Sequence, residues 1–317
     1  MSDISNFPWL KKLFLKTNIS ALPHSNLIEG SKGLGKTFLA KHIAKSLLCL
    51  NSSSEPCNSC HSCNLFDEPT HPDFFMNADD NKILIDEIRE MINFSVLSSS
   101  VSSSKVIILN NCENMNIASQ NAILKTLEEP AANTYIIMTS SKRRSLNQTI
   151  YSRCNKFTLR DLDQHELTEW IRSQGMQDFN YYDYPTFLAP LEILKNIEEG
   201  RNNEFIDISN YLLQFCNKEI SIDEVVKYLL DIDLTSIEKV NLVIDFFKTL
   251  LKSKLANLPY SGKFKSLNDI QLVVEDLSDA LDELNLLRNN IMKVSAINEN
   301  HSLKYFMFKL DNLIKQS

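Results

Sequence analysis

The sequence contains no apolar run that approaches the ~18–20 residues needed to span a bilayer as a helix. Its first residues, Met1-Ser2-Asp3-Ile4, supply neither the basic segment nor the apolar segment that a secretory signal requires. The sequence therefore predicts neither a membrane-spanning protein nor a secreted one. We expect a cytoplasmic protein.

The chain also lacks an excess of positive charge, since 33 basic residues stand against 40 acidic ones and the formal net charge is −7. Proteins that coat nucleic acid by themselves usually carry a dominant basic surface. We therefore expect any contact with DNA to be local, or to be made in an assembly whose other chains supply charge. Seven cysteines, an odd number in a chain without a secretory signal, predict reduced thiols rather than disulfides.

Glycine is scarce, but three of the six glycines lie within residues 30–35. Residues 30–37 fit the pattern G-x-x-x-x-G-K-[ST] of a phosphate-binding loop. In such a loop, backbone N–H groups turn towards phosphate oxygens, the lysine reaches the β and γ phosphates, and the hydroxyl ligates magnesium. The predicted nucleotide-binding residues are Gly30, Ser31, Lys32, Gly33, Leu34, Gly35, Lys36 and Thr37.

The segments around this loop predict an α/β domain over residues 1–160. Leu27–Glu29 is a short apolar strand that ends at the loop, and Thr37–Leu50 carries apolar residues at helical spacing. Val106–Leu109 and Tyr135–Met138 are continuous apolar runs, as expected of strands buried on both faces of a parallel sheet. Alternation of this kind predicts a doubly wound sheet.

Strand signals fade beyond about residue 160. Leu167, Trp170 and Ile171 share one helical face and predict a small helical unit over residues 161–203. Residues 204–317 are helical almost throughout, and Ser221-Ile222-Asp223-Glu224 is a capping box that opens one of these helices. We interpret the apolar stripes of these helices as core packing rather than as a cofactor site.

The acid that a P-loop ATPase needs is not found at its expected position. Such enzymes hold magnesium with an acid at the end of a neighbouring strand, but Val106–Leu109 is followed by Asn110 and Asn111. An amide carries no charge for the metal and accepts no proton from water at neutral pH. Asp86-Glu87 is a competing candidate, although helical spacing from Ile85 onwards favours a helix with Asp86 in its first turn.

Four of the cysteines are clustered and predict a structural zinc module over residues 49–63. Their spacing, C-x7-C-x2-C-x2-C, places four thiols within fifteen residues. Four thiolates leave no open coordination position, which is typical of structural rather than catalytic zinc. A redox pair is the alternative, but it would need only two cysteines. The predicted ligands are Cys49, Cys57, Cys60 and Cys63.

Several segments resemble clamp-loader AAA+ proteins. Asn121–Pro130 and Thr149–Cys154 are similar to hallmark segments of that family, and a four-cysteine insertion after the P-loop helix is typical of its bacterial members. Residues 7–10, 70–74 and 85–89 resemble one subunit class within it. The resemblance is dense over residues 7–157 and thin but compatible over the helical remainder.

This resemblance implies an AAA+ nucleotide-binding domain over residues 1–160, a helical lid over 161–203 and a helical collar over 204–317 that builds a ring. It also implies a hetero-oligomer without a membrane partner. The expected partners are ATPase subunits (gamma or tau), a delta subunit, the sliding clamp and primed DNA. Ser152-Arg153-Cys154 matches the motif whose arginine reaches a neighbour's ATP, so the resemblance implies that Arg153 acts in trans. The alternative is a structural arginine paired with a local acid.

Asn110 and Asn111 stand where the ATPase members of the family have Asp-Glu. The resemblance therefore implies a subunit that supports DNA replication without hydrolysing ATP itself. By complex membership it would belong to a DNA-directed DNA polymerase, a nucleotidyltransferase, while the isolated chain would be neither polymerase nor ATPase. The alternative is an active gamma/tau-type ATPase that uses Asp86-Glu87. The intact loop leaves binding of ATP or ADP open.

Overall fold

The computed structural model describes residues 4–51, 54–77, 82–186, 188–200, 202–260, 262–271, 273–293 and 299–316. The chain divides into two compact units, residues 1–163 and 164–317. The finer three-part division at residues 160 and 203 stays a prediction. Within the described residues, no helix is both long enough and apolar enough to cross a membrane.

The first unit is an α/β domain. Its strands are β1 (Ser25–Glu29), β2 (Phe74–Met76), β3 (Lys105–Leu109), β4 (Thr134–Ser140) and β5 (Asn155–Thr158). Its helices are α1 (Pro8–Leu15), α2 (Lys36–Leu48), α3 (His61–Asp67), α4 (Ile85–Val96), α5 (Ile117–Glu128) and α6 (Gln148–Tyr151). Over the described residues the strands form one five-stranded parallel sheet in the order β2-β3-β4-β1-β5. The predicted α/β class with a parallel sheet is therefore confirmed.

Two strands of this sheet were not predicted from the sequence. β2 has only three residues, and most side chains of β5 are exposed at the sheet edge. Neither segment shows the continuous apolar run that identified the strands buried on both faces. β1, β3 and β4 were predicted, and β1 and β3 are buried at every position.

Helices cover both faces of the sheet. Strand residues of one face form a core with α4 and α5, comprising Leu27, Ile107, Leu109, Ile136 and Met138 with Ile88, Met91, Ile123 and Leu127. Since side chains alternate along a strand, Ile28, Val106, Ile108 and Ile137 lie on the opposite face. These four residues are fully buried, and α2 contacts β1, β3 and β4.

The register brings the carboxyl ends of three strands together at one edge. Leu109 of β3 lies beside Met138 of β4, and Glu29 of β1 lies beside Ser140. The segments that follow β1, β3 and β4 therefore start next to one another. Ligands of open α/β sheets bind at this edge.

The second unit is helical. Its helices are α7 (Gln164–Ser173), α8 (Pro190–Glu198), α9 (Asn202–Cys216), α10 (Ile222–Asp231), α11 (Ser236–Ala256), α12 (Val274–Lys293) and α13 (Glu299–Leu313). β6 (Ile270–Gln271) and β7 (Lys315–Gln316) form a short antiparallel pair. α9 to α13 contribute to one hydrophobic core that includes Phe215, Val225, Phe247, Leu281 and Met307. The predicted burial of Leu167, Trp170 and Ile171 on α7 is confirmed.

The predicted capping box at the start of α10 is also confirmed. The Ser221 hydroxyl accepts a hydrogen bond from the Glu224 N–H, and the Glu224 carboxylate accepts one from the Ser221 N–H. Thr235 and Glu238 form the same arrangement at the start of α11. Each box satisfies two N–H groups that a helix start would otherwise leave without acceptors.

Candidate nucleotide and metal sites

The phosphate-binding loop, residues 30–37, connects the carboxyl end of β1 to α2. Gly33 and Gly35 have φ angles of 73° and 86°, a region that residues with a side chain rarely adopt. A Cβ atom on Gly30 would lie 2.8 Å from the Cβ of Leu159 and 2.9 Å from its carbonyl oxygen. The glycines at these positions are therefore required by backbone conformation and by close packing.

The loop lysine is buried and folded back onto its own loop. Lys36 is 6% exposed, and its Nζ donates a 2.8 Å hydrogen bond to the carbonyl oxygen of Ser31. Burial lowers the pKa of Lys36, and the negative charges of Glu113 and Asp161 oppose that shift. An anionic ligand in the loop would supply a negative charge that stabilises this buried ammonium group.

The N-terminal segment braces the loop from outside. The Trp9 indole N–H donates a 2.9 Å hydrogen bond to the carbonyl oxygen of Leu34. Phe7 makes edge-to-face contacts with both Trp9 and Phe38, the latter on α2. The sequence singled out residues 7–10 only through a resemblance, and no local pattern indicates that they contact a loop 25 residues away.

Asn110 connects the loop to the neighbouring strands. Its side-chain oxygen accepts hydrogen bonds from the Thr37 hydroxyl at 2.5 Å and from the Thr139 hydroxyl at 2.6 Å. Its backbone N–H donates to the side-chain oxygen of Asn77 at 2.7 Å, and its carbonyl accepts from the Asn77 amide. We name this set of Thr37, Thr139, Asn77 and Asn110 the amide cluster.

The amide cluster brings the predicted magnesium ligand Thr37 together with an uncharged side chain. Magnesium prefers carboxylate, phosphate and water oxygens, and Asn110 provides no carboxylate. The residues present therefore do not match the metal site of an ATPase. Asp86, the competing acid, lies in the first turn of α4 as the helical interpretation predicted, and pairs with Arg89 at 2.8 Å.

Glu113 is an acid in this region that the sequence reasoning missed. It follows β3 in a short 3-10 helix, Cys112–Asn114. One carboxylate oxygen accepts a 3.0 Å hydrogen bond from the backbone N–H of Ser141, just after β4. Its charge acts on Lys36, so it contributes negative potential near the phosphate-binding loop.

The four clustered cysteines are brought together as predicted. The Sγ atoms of Cys49, Cys57, Cys60 and Cys63 lie within 4.8 Å of one another. Sulfurs bound to zinc at ~2.3 Å in a tetrahedron stand about 3.8 Å apart. The cluster is therefore close to the size of a tetrahedral thiolate site, and the structure supports a candidate metal centre at these residues.

Backbone N–H groups point at the sulfurs of this cluster. Cys57, Cys60 and Cys63 donate to the Sγ atoms of Cys49, Cys57 and Cys60 at 3.4, 3.3 and 3.4 Å. Hydrogen bonds from Ser59 and Cys60 lower the pKa of Cys57 to about 5. Burial raises the pKa of Cys63 to about 12. Hydrogen bonds from backbone N–H groups thus favour a thiolate at Cys57.

Side-chain hydrogen bonds of Lys45 and Ser62 fix the cluster to the rest of the unit. The Lys45 ammonium on α2 donates to Asp67 at 2.9 Å and to Asn58 at 2.7 Å. Ser62, next to Cys63, bonds the carbonyl oxygen of Leu48 at 2.6 Å. Both contacts join the cysteine segment to the helix that follows the phosphate-binding loop.

His71 extends this connection. Its Nδ1 accepts from the Asp73 N–H at 3.0 Å, which places the ring proton on Nε2, 2.8 Å from the Ser62 hydroxyl. Ser62 and Ser102 both donate to the Leu48 carbonyl. Burial lowers the pKa of His71 despite the nearby Asp73 charge. The ring is therefore a neutral part of a buried hydrogen-bond network.

Arg153 lies in the loop between α6 and β5 and is paired with an acid of its own chain. Its Nε donates to Glu128 Oε1 at 2.6 Å, and its Nη2 donates to the same oxygen. Nη1 donates to the Thr149 carbonyl at 2.8 Å. The pairing with a local acid that the sequence left as an alternative is present, and the side chain remains 29% exposed.

The three cysteines outside the cluster are buried. Cys112, Cys154 and Cys216 are all below 10% exposed. Burial raises the pKa of each thiol, in the case of Cys154 to about 12. These side chains act as small apolar residues.

Comparison with known proteins finds similarities to subunits of DNA polymerase III. Residues 9–163 match the family described as "DNA polymerase III, delta subunit". The DNA polymerase III subunit delta' of Haemophilus influenzae is 28% identical over 92% of this chain and 93% of its own length. The subunit delta' of Pseudomonas aeruginosa is 35% identical, over 49% of this chain and 48% of its own length. A gamma subunit-related protein of Thermotoga maritima aligns with 96% of this chain and 99% of its own at 13% identity and a TM-score of 0.47.

Proposed function

Because the chain belongs to the family of DNA polymerase III delta-prime subunits, we propose that it is a non-hydrolysing subunit of a clamp loader. In this role it joins ATPase subunits (gamma or tau) and a delta subunit in the cytoplasm. The assembly loads a sliding clamp on primed DNA during DNA replication. By membership it is part of a DNA-directed DNA polymerase, although the chain itself carries no polymerase chemistry in this proposal.

The observation that carries the proposal is the amide cluster. An intact phosphate-binding loop meets Asn110 where a hydrolysing enzyme needs an acid for magnesium. Thr37 and Thr139 both donate to the Asn110 oxygen, so the cluster is uncharged. Asp86, the acid required by the alternative of an active gamma/tau-type ATPase, is exposed on α4 and bonded to Arg89.

An ATPase assay on the purified chain tests this proposal. We expect no turnover above that of a parallel preparation of Lys36→Ala. Turnover that the wild-type chain shows and Lys36→Ala abolishes would instead support the active-ATPase alternative. Since Lys36 bonds Ser31 and is buried, a thermal melt of each protein checks that the substitution leaves the fold intact.

Nucleotide binding without hydrolysis is part of the proposal. The backbone of residues 30–37 and Lys36 provide donors for the phosphates of ATP or ADP, and α2 starts directly behind them. Because Asn110 replaces the acid, no step through a bound magnesium ion follows from these residues. Nucleotide would then act as a structural ligand that stabilises the loop.

Arg153 is the residue that we propose to act on the neighbour. A guanidinium presented in trans offsets negative charge that develops on the γ-phosphate. Arg153 is 29% exposed, so that an incoming ligand can reach it. In this proposal the chemistry that the chain assists takes place at the phosphate-binding loop of the adjacent ATPase subunit.

Cys49, Cys57, Cys60 and Cys63 would hold a zinc ion, and the donor set fits one. All four ligands are sulfurs within 4.8 Å of one another, and three of the sulfurs accept backbone N–H bonds. Zinc bound by four thiolates stabilises a fold rather than activating water. The module would therefore fix the 49–63 segment to α2.

The second unit supplies the assembly surface in this proposal. Residues 161–203 form the lid and residues 204–317 the collar that packs into the ring of subunits. The helices α9 to α13 share one apolar core, which gives the collar a defined shape in a single chain. Size-exclusion chromatography of the chain mixed with the other loader subunits tests whether it joins the assembly.

A further inference from the structure

The guanidinium of Arg153 is held from two sides by its own chain. Glu128, the last residue of α5, accepts hydrogen bonds from Nε and Nη2 through one oxygen, Oε1. The carbonyl oxygen of Thr149 on α6 accepts from Nη1 at 2.8 Å. A longer contact of 3.4 Å joins Nη1 to the Ser152 hydroxyl.

These contacts leave part of the guanidinium available to a ligand. Arginine has five N–H groups, and the bonds to Glu128 and Thr149 occupy three of them. Within the described part of the chain, the long contact with Ser152 is the only other hydrogen bond that this group makes. Nη1 and Nη2 can therefore each offer an N–H to two oxygens of one phosphate, the arrangement in which arginine binds anions best.

We infer that Glu128 is the positioning residue for Arg153. It holds the Nε–Nη2 edge of the guanidinium, so that the Nη1–Nη2 edge faces the γ-phosphate of ATP bound to a neighbouring subunit. This inference rests on the proposed role of Arg153. Glu128 touches neither nucleotide nor the reacting atoms. Because Glu128 already restricts the rotamers of Arg153, less side-chain conformational entropy is lost when the phosphate binds.

Glu128 and Thr149, the two residues that hold the guanidinium, belong to rigid parts of the unit. Leu127 precedes Glu128 and is buried in the core against the sheet, and Ile150 on α6 is fully buried in the same core. α5 and α6 are in contact. The Glu128 backbone and the Thr149 carbonyl therefore hold fixed positions relative to each other, and the guanidinium is bonded to groups that both positions supply.

The geometry favours an acid that orients Arg153 towards a ligand over one that keeps Arg153 away from it. The Glu128 side chain is 46% exposed, and water screens much of its charge. A phosphate that binds the Nη1–Nη2 edge does not need to displace Glu128 from Nε. An acid that withheld the arginine would bond the Nη1–Nη2 edge itself, whereas Glu128 accepts from Nε and Nη2 through a single oxygen.

Substitution of Glu128 in the reconstituted loader tests the inference. Glu128→Ala removes the carboxylate, whereas Glu128→Gln keeps an oxygen that can accept from Nε and Nη2. Glu129→Ala is the matched control, since Glu129 is the adjacent exposed acid at the end of the same helix. Each variant is assayed for steady-state ATP hydrolysis by the complex, and size-exclusion chromatography verifies assembly.

We expect Glu128→Ala to lower kcat about three- to tenfold with little change in KM, because positioning acts in the transition state. Glu128→Gln should recover most of the rate, and Glu129→Ala should match the wild type. In the Arg153→Ala background, Glu128→Ala should cause no further loss.

The outcomes separate this inference from the proposed function. A normal rate for Glu128→Ala in a complex that Arg153→Ala slows would overturn the positioning role alone. A faster rate for Glu128→Ala would also overturn it, since Glu128 would then restrain the arginine. A normal rate for Arg153→Ala itself would instead remove the proposed role in trans, and the inference with it.

Discussion

The hydroxyl of Thr37 donates a 2.5 Å hydrogen bond to the side-chain oxygen of Asn110. The two residues are 73 positions apart and meet because β1 and β3 both end at the same edge of the parallel sheet. A hydroxyl that should ligate magnesium is thus bonded to a neutral amide. Nucleotide binding and magnesium binding are separable in such a site, and a substitution at Asn110 can test that separation.

Asn110→Asp should make nucleotide binding depend on magnesium. In the wild-type chain we expect the Kd for ADP to agree within about threefold between magnesium and EDTA, because no carboxylate holds the metal. With a carboxylate in place of the amide, magnesium should tighten binding by about tenfold or more. Isothermal titration calorimetry under both conditions measures the difference.

The control for this experiment is Asn111→Asp, which adds the same charge one residue further along. It should leave binding insensitive to magnesium, because the Asn110 side chain, not that of Asn111, accepts the Thr37 hydroxyl. Wild-type binding that already requires magnesium would contradict the prediction and would point to an acid such as Glu113 as a metal ligand.

Arg153→Ala should slow ATP hydrolysis by the reconstituted loader and leave its assembly unchanged. An arginine supplied in trans is worth about 10³–10⁵ in rate at one site in other systems. The total rate of a complex with several active sites should fall by less. Steady-state turnover, measured beside size-exclusion chromatography, checks both parts of the prediction.

Lys125→Ala is the charge-matched control for Arg153→Ala, since Lys125 is an exposed basic residue on α5. It should hydrolyse ATP at the wild-type rate. If Arg153→Ala does the same, Arg153 is only the partner of Glu128. That result would revive the structural-arginine alternative that the sequence left open.

The sequence predicted those parts of the site that lie in one short segment. Residues 30–37 and the four clustered cysteines are local patterns with a direct chemical reason. The missing acid after β3 could also be identified, because the strand itself is a continuous apolar run. β2 and β5 could not, since one is three residues long and the other is largely exposed.

Contacts between distant segments were beyond sequence reasoning. Asn77 joins the amide cluster because β2 pairs with β3, and Thr139 joins it because β4 pairs with β3. Trp9 bonds Leu34, and Arg153 bonds Glu128. No periodic pattern in the sequence predicts either hydrogen bond. A local acid for Arg153 was considered as an alternative, but its identity required the fold.

Acidification below pH 6.5 should destabilise the first unit through His71. The folded state lowers the pKa of this ring from its ordinary value of 6.5, mainly by burial. The unfolded chain therefore binds more protons between the two pKa values, so the free energy of unfolding falls as pH drops below about 6.5. Above that pH the full stabilisation is present. Urea unfolding at a series of pH values measures the slope.

His71→Gln should remove that part of the pH dependence, because the imidazole is gone and the neighbouring Asp73, whose pKa is lowered from 3.8, titrates only at more acidic pH. It should also cost about 1–3 kcal/mol at neutral pH, since buried partners such as the Asp73 N–H lose their acceptor. His165→Gln is the control, because His165 is exposed on α7. An unchanged slope for His71→Gln would assign the acid sensitivity to other groups.

The cysteine cluster should contain a single zinc ion per chain, and Cys60→Ser should lose it. Cys60 contributes a sulfur to the cluster, accepts from the Cys63 N–H and caps α3. Its replacement by oxygen weakens zinc binding and releases the segment that Ser62 and Lys45 join to α2. Elemental analysis by mass spectrometry counts the metal, and thermal melts with and without a chelator measure the loss of stability.

Cys216→Ala, which alters a buried cysteine outside the cluster, should keep the full zinc content. A wild-type chain that is well folded yet free of metal would show that hydrogen bonds alone hold the four thiols together.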